Sequence, residues 1–231
     1  MGSKFTPFII ENLEITDATN EGISLGKHNN VVVFVPHLIP GDVADVKVIK
    51  KKRNYYTAQI IELKKNSPFR TEPVCKHFGV CGGCKWQHMI YAKQLEYKQK
   101  QVFDAFTRIG KLQFDSINDI IGSGQIYQYR NKLDFAFAEK RWLTANELAD
   151  SEIIFNPGLG FHLPRFFDKV IDIEACFLMD DYANLIRNGI RDFTLTKKAS
   201  YYNARTWSGL MRNLVIRKTL KNEWMLIVVF G

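Results

Sequence analysis

Hydrophobic and polar positions alternate in short runs over the first seventy residues. Apolar-rich runs occupy Phe8–Ile15, Ile23–Gly26, Val31–Val35, Asp42–Ile49 and Tyr55–Leu63, with polar or Pro/Gly-containing turns at Thr16–Gly22, Lys27–Asn30 and Pro36–Gly41. The Asp42–Ile49 run alternates with period two, the signature of a strand with one buried face. Five short strands with regular turns predict a small closed barrel, OB-like in type. Pro68 to Pro73 reads as a linker, which divides the chain into a barrel over 1–68 and a second domain over 69–231.

The pattern then changes period. Tyr91, Leu95, Val102, Phe106 and Ile109 fall on one face of a helix predicted at about 91–110, with Gly110 as its stop. Strand patterns return at Tyr127–Phe137 (with Leu133, Phe135 and Phe137 alternating), Ile153–Phe155, Pro157–His162 (read as a turn into a strand), Val170–Ile173, Gly209–Arg217 and Trp224–Phe230. Between them lie a short helical stretch in Trp142–Asp150 and a helix Asp181–Phe193, with Asp180 placed to cap it. The second domain is therefore expected to be α+β. Gly158 and Gly160 have no third glycine and no long helix after them, which excludes a dinucleotide fingerprint.

Composition narrows the setting. Of 231 residues 46% are hydrophobic, yet no run approaches the roughly 18 apolar residues that span a bilayer. Nor does the N-terminus carry the apolar core of a signal peptide, so a cytoplasmic protein with no membrane partner is expected. The formal net charge of +8 favours a polyanionic partner. Two stretches concentrate the chemistry for RNA: Lys50, Lys51, Lys52 and Arg53 beside Tyr55, and Tyr129, Arg130, Asn131 and Lys132. Cations hold phosphates and a ring can stack on a base. The competing reading is a solvated hairpin tip and an ordinary charged strand end.

Three of the four cysteines lie in Cys75-x5-Cys81-Gly-Gly-Cys84, and Cys176 stands far downstream. Cysteines two residues apart can point both thiolates at one metal or cluster, and Gly82 and Gly83 are free to take positive φ in such a wrap. In a reducing compartment ligation is the better default than disulfides. Spacing alone leaves zinc and an iron–sulfur cluster equally placed, and His77 or His88 could complete a Cys3His zinc set.

These segments together resemble the RNA (uracil-5-)-methyltransferase family. The likeness is carried by Cys75-x5-Cys81-Gly-Gly-Cys84-x2-Gln87-His88, Tyr91-x2-Gln94-Leu95, Lys98 and Arg108-Ile109-Gly110. Further segments are Tyr129-Arg130-Asn131-Lys132, Leu159-Gly160-Phe161, Ile171-Asp172-Ile173 to Cys176, and Met211-Arg212-Asn213-Leu214. The first seventy residues resemble the TRAM domain, an OB-type RNA-binding barrel. The resemblance implies that Cys75, Cys81, Cys84 and Cys176 hold a [4Fe–4S] cluster in a central domain. It implies transfer of a methyl group from S-adenosylmethionine to C5 of a uridine in a structured ribosomal or transfer RNA, by a monomer. In that chemistry a cysteine thiolate adds to C6 and generates the carbon nucleophile that C5 otherwise lacks. No Gly-rich methyl-donor loop follows a strand here, and the cluster assignment leaves no spare cysteine. The expectation is an N-terminal recognition and cluster part, with the Rossmann-like methyltransferase domain absent and the 231-residue chain inactive by itself. The alternative is a stand-alone RNA-binding module with a structural zinc.

Overall fold

In the computed structural model, residues 5–149 and 156–231 are described, so the strand expected at Ile153–Phe155 lies outside the described residues. They form two compact units, one of residues 1–73 with 85–123 and the other of 74–84 with 124–231. The chain thus passes between units three times, where the sequence suggested a single boundary near residue 69.

The first unit is built on a closed five-stranded barrel. Strands β1 (Phe8–Ala18), β2 (Ser24–His28), β3 (Val31–Val35), β4 (Val43–Lys51) and β5 (Tyr55–Lys65) run in the order β1-β2-β3-β5-β4. β1 closes the barrel because it is long enough to pair with both β2 and β4; its register shifts between Ile10 and Leu13, where Asn12 takes a left-handed φ of 50°. Such a bulge lets one strand turn a barrel corner. Alternate residues point inward, and Ile10, Leu13, Ile15, Val33, Val35, Val46 and Val48 fill the interior.

One end of the barrel is fixed by a fully buried carboxylate. Asp42 accepts the N–H groups of Ile39 at 2.7 Å and Ser67 at 2.9 Å, and Arg70 donates Nε at 2.8 Å and Nη2 at 2.7 Å to its two oxygens. A buried carboxylate is tolerated when it is paired and its lone pairs are occupied, and here four donors do both. Trp86 and Met89 pack with Ala18 and Ile39 beside this network.

The helix α1 (Tyr91–Asp104) continues into a π-helical turn, Ala105–Ile109. Gln94 Nε2 ties its start to the carbonyls of Trp86 and Met89 at 3.0 and 2.8 Å. Its apolar face differs from expectation: neither α1 nor the turn has a buried residue, and Val102, Phe106 and Ile109 are exposed. Helical periodicity reports an amphipathic face but not what covers it.

The second unit is an antiparallel sheet in the order β10-β9-β6-β7-β8, formed by β6 (Lys132–Ala138), β7 (Gly158–His162), β8 (Val170–Asp172), β9 (Met211–Lys218) and β10 (Trp224–Phe230). α2 is a single turn, Ala145–Leu148, within the predicted helical stretch. α3 (Asp181–Thr196) is capped by the Asp180 carboxylate, which accepts the Tyr182 N–H at 3.0 Å. Leu133, Phe135 and Phe137 of β6 join Leu159, Leu214, Ile216, Met179 and Ala183 in one core. Gly158 and Gly160 lie inside β7 and not in a turn. A Cβ on Gly160 would stand 2.0 Å from the Ile171 carbonyl oxygen, so glycine lets β8 approach.

Asp42→Ala is expected to lower the unfolding free energy by about 3 kcal/mol, because it strands the Arg70 cation and two backbone donors. Denaturant titration of the wild-type and variant chains checks this, and a change within error would contradict the assigned role.

Candidate metal centre and nucleic-acid surfaces

All four cysteines belong to the second unit, and none is in a disulfide. The loop that carries three of them is wound by successive turns: Phe78 N–H donates to Cys75 O at 3.0 Å and Cys81 N–H to His77 O at 2.9 Å. The positive φ falls on Gly79 (86°) rather than on Gly82 or Gly83. Gly82 has a different reason to be small, since a Cβ there would meet Pro164 Cγ at 3.2 Å. Val80, Cys81 and Cys84 pack against the core in which Cys176 is buried.

Cys176 is held by α3. Asn184 Oδ1 accepts its N–H at 2.8 Å, and Asn184 Nδ2 donates to its carbonyl at 3.3 Å. Upstream, the fully buried Arg187 donates to the Leu159 carbonyl and, at 2.9 Å, to Asp172; Arg191 reaches the other Asp172 oxygen at 3.2 Å. Burial lowers the Arg187 pKa to about 10, with the Asp172 charge opposing, so it remains a cation at neutral pH. Asn188 adds a bond to Glu174 O at 3.1 Å, and Glu174 pairs with Lys76 of the cysteine loop at 2.6 Å. Segment 172–176 is therefore set by four α3 side chains that the sequence reading did not single out. The available signal was polar residues at 184, 187, 188 and 191, on a helix whose apolar face otherwise enters the core.

The Cys176 thiol senses the other three. Burial pushes the Cys176 thiol up to about 11, a hydrogen bond from the Leu178 N–H opposes it, and charge on Cys84, Cys81 and Cys75 pushes further upward. A thiol held protonated is a poor nucleophile, and a bound cation would reverse that balance. By donor chemistry this set fits a soft metal or a cluster. By geometry it is not drawn tight: among the described residues no group of three or more His, Cys, Asp or Glu side chains stands ready to hold an ion.

The histidine alternatives separate. His88 lies in the other unit, buried, with Nε2 3.4 Å from the Leu38 carbonyl. Burial first, and the Arg70 charge second, lower its pKa to about 4. His77 stays in the cysteine loop, and burial also lowers its pKa.

Of the residues expected to meet RNA, Lys50, Lys51, Lys52 and Arg53 are exposed at the β4–β5 hairpin, which closes with Lys52 N–H donating to Tyr55 O at 2.9 Å. Tyr55 sets its ring edge-on to Phe34 at 5.5 Å, while Tyr56 packs on the barrel core. Tyr129, Arg130 and Asn131 are exposed, and Lys132 pairs with Asp134 at 2.7 Å. Gln128 and Arg130 donate their N–H groups to the Phe177 and Leu178 carbonyls at 2.9 and 2.7 Å. The structure thus lays the 127–132 stretch beside Cys176, and Tyr127 has its pKa raised by burial and by the Cys84 and Cys75 charges.

Comparison with known proteins fits this arrangement. Residues 8–61 match the TRAM domain family. They are a TRAM domain. A protein of Bacteroides thetaiotaomicron named as an RNA methyltransferase is 46% identical over 210 residues, 90% of this chain and 46% of its own. A protein of the same name from Porphyromonas gingivalis is 45% identical over 224 residues, 94% of this chain and 48% of its own. The chain is similar along most of its length to these proteins named as RNA methyltransferases, and it spans about half of theirs. In fold it is similar to the Pyrococcus abyssi tRNA (uracil-54, C5)-methyltransferase, solved with S-adenosyl-L-homocysteine. The TM-score is 0.63 and the identity 23%, over 95% of this chain and 46% of that one.

These matches correct one expectation. The chain aligns along 90% of its length with a protein twice as long, so its extent gives no ground for an absent methyltransferase domain. The expectation of an inactive chain rested on that absence and falls with it.

A pH dependence follows from His88. With a folded pKa near 4 and an ordinary value of 6.5, the unfolded chain binds the extra proton between them. The His88 contribution to stability is complete above about pH 6.5 and is lost as the pH falls through 4. His88→Gln is expected to flatten this part of the profile relative to wild type, measured by denaturant titration at several pH values; parallel profiles would contradict it.

Proposed function

We propose that this chain is the RNA-recognition and iron–sulfur part of an S-adenosylmethionine-dependent RNA uridine C5 methyltransferase. The observation that carries the reading is its 46% identity, over nearly its whole length, to a protein named as an RNA methyltransferase. The TRAM barrel with its basic hairpin supports RNA as substrate. In this reading Lys50, Lys51, Lys52 and Arg53 neutralise phosphates of a structured ribosomal or transfer RNA. Tyr129, Arg130, Asn131 and Lys132 form a second contact, with an exposed ring for a base and cations for the backbone.

Cys75, Cys81, Cys84 and Cys176 would hold a [4Fe–4S] cluster in the reducing cytoplasm. When bound, the cluster supplies a covalent cross-link between two segments some ninety residues apart in sequence, and metal binding of this kind adds to folding free energy. Asn184, Arg187 and Asn188 position the distant ligand for it. The cysteines serve as ligands, so none of these four is the thiolate that adds to the uracil ring.

Cells lacking the gene for this chain are expected to lose a 5-methyluridine from ribosomal or transfer RNA and regain it on complementation, read by mass spectrometry of digested RNA. Unchanged 5-methyluridine in both RNA classes would contradict the reading. The chain itself is expected to bind RNA with an affinity that falls steeply with salt, and replacing Lys50–Arg53 with alanine should reduce the slope by about 0.7 for each phosphate no longer neutralised.

A further inference from the structure

The second unit carries a concave site away from the cysteines in sequence and distinct from the 129–132 stretch. A cavity of about 680 Å³ opens between the end of β6, the β7–β8 connection and the 202–207 loop. Cationic side chains outnumber carboxylates five to two along its wall. Phe167 and Trp207 both line it, yet they are 67% and 80% exposed. Large rings ordinarily bury their faces, so rings left open in a cationic hollow call for a flat ligand.

The loop is built to hold Trp207 in that position. Asn203 Oδ1 accepts the N–H groups of Arg205 at 2.9 Å and Thr206 at 3.3 Å, and Trp207 N–H donates to Asn203 O at 2.9 Å. Gly209 closes the turn with a φ of 113°, where a Cβ would stand 2.3 Å from the Tyr201 carbonyl oxygen. Arg205 Nε bonds Asp168 at 2.5 Å, which pins this loop to the segment that carries Phe167. The Arg212 guanidinium sits 4.9 Å from the Tyr202 ring centroid and forms no ion pair among the described residues. A guanidinium stacked on a ring, with its fork of donors still available, suits a phosphate.

We propose that this hollow is an additional RNA site that takes unpaired nucleotides, stacking bases on Trp207 and Phe167 and holding a phosphate with Arg212. Stacking platforms select single strands because a duplex keeps its base faces covered. The proposal rests on the RNA-binding reading given above, and the test separates the two.

A labelled single-stranded RNA and its duplex are titrated against the full chain by fluorescence anisotropy, with Trp207→Ala, Arg212→Ala and the Lys50–Arg53 alanine variant alongside. Thermal melts establish that each variant is folded; Trp207 is exposed, so its removal should leave stability unchanged. Trp207→Ala is expected to weaken single-strand binding about tenfold, the loss of one stacked base, without altering the salt slope. Arg212→Ala is expected to weaken binding and to reduce the slope by the share of one phosphate, and a photoreactive 4-thiouridine strand should cross-link to the peptide containing Trp207. Wild-type binding that neither variant weakens would overturn this site while leaving the barrel as the RNA surface. Failure of the wild-type chain to bind any RNA would overturn both.

Discussion

The second unit depends on burial of Cys176 beneath α3. Once the Cys176 backbone is bracketed by Asn184 and the preceding turns are locked by Arg187 and Asn188, the position of the fourth thiol is fixed by the core and not by a flexible loop. Residues 74–84 must then leave the run of chain that builds the first unit and add Val80, Cys81 and Cys84 to this core. That demand explains why a segment of eleven residues interrupts the barrel unit. It also separates ligand from nucleophile: a buried thiol with neighbouring thiolates disfavours its own charge until a cation compensates. In the proposed reading the site stabilises and positions, and the thiol that adds to the uracil ring is a different one.

The first unit is organised around a carboxylate. Asp42 gathers the β3–β4 turn, Ser67 and Arg70, and the Trp86–Met89 segment seats beside it. The linker-like run from Pro68 to Pro73 is thus anchored by Arg70 within it and by Ser67 just before it. Its composition suggested looseness; its hydrogen bonds make it part of the barrel's end.

Much of this was legible in the sequence. Short apolar runs between turn residues located all five barrel strands, and in the fourth the period-two alternation showed that one face is buried. Asp180 was readable as a cap because capping is local. What failed was non-local. The helix at 91–110 showed an apolar face, yet that face is not buried, since periodicity carries no information about a partner. The glycines of β7 looked like a turn because close backbone approach leaves no trace in sequence other than the small residue itself. Trp207 lay outside every motif that pointed to RNA, and Arg212 stood only within a family-like segment with no contact assigned to it; the two meet at one hollow only through the fold. The cysteines were the opposite case: their spacing suggested a site, and the fold packs Cys81 and Cys84 against the core that buries the distant Cys176.

The central claim is that these four cysteines form one iron–sulfur ligand set. Its most direct test is metal and acid-labile sulfide analysis of the chain purified without oxygen. The account predicts iron and sulfide in equal amounts, both lost when Cys81 or Cys176 is replaced by serine. Stoichiometric zinc without sulfide, or iron that survives loss of Cys176, would contradict it.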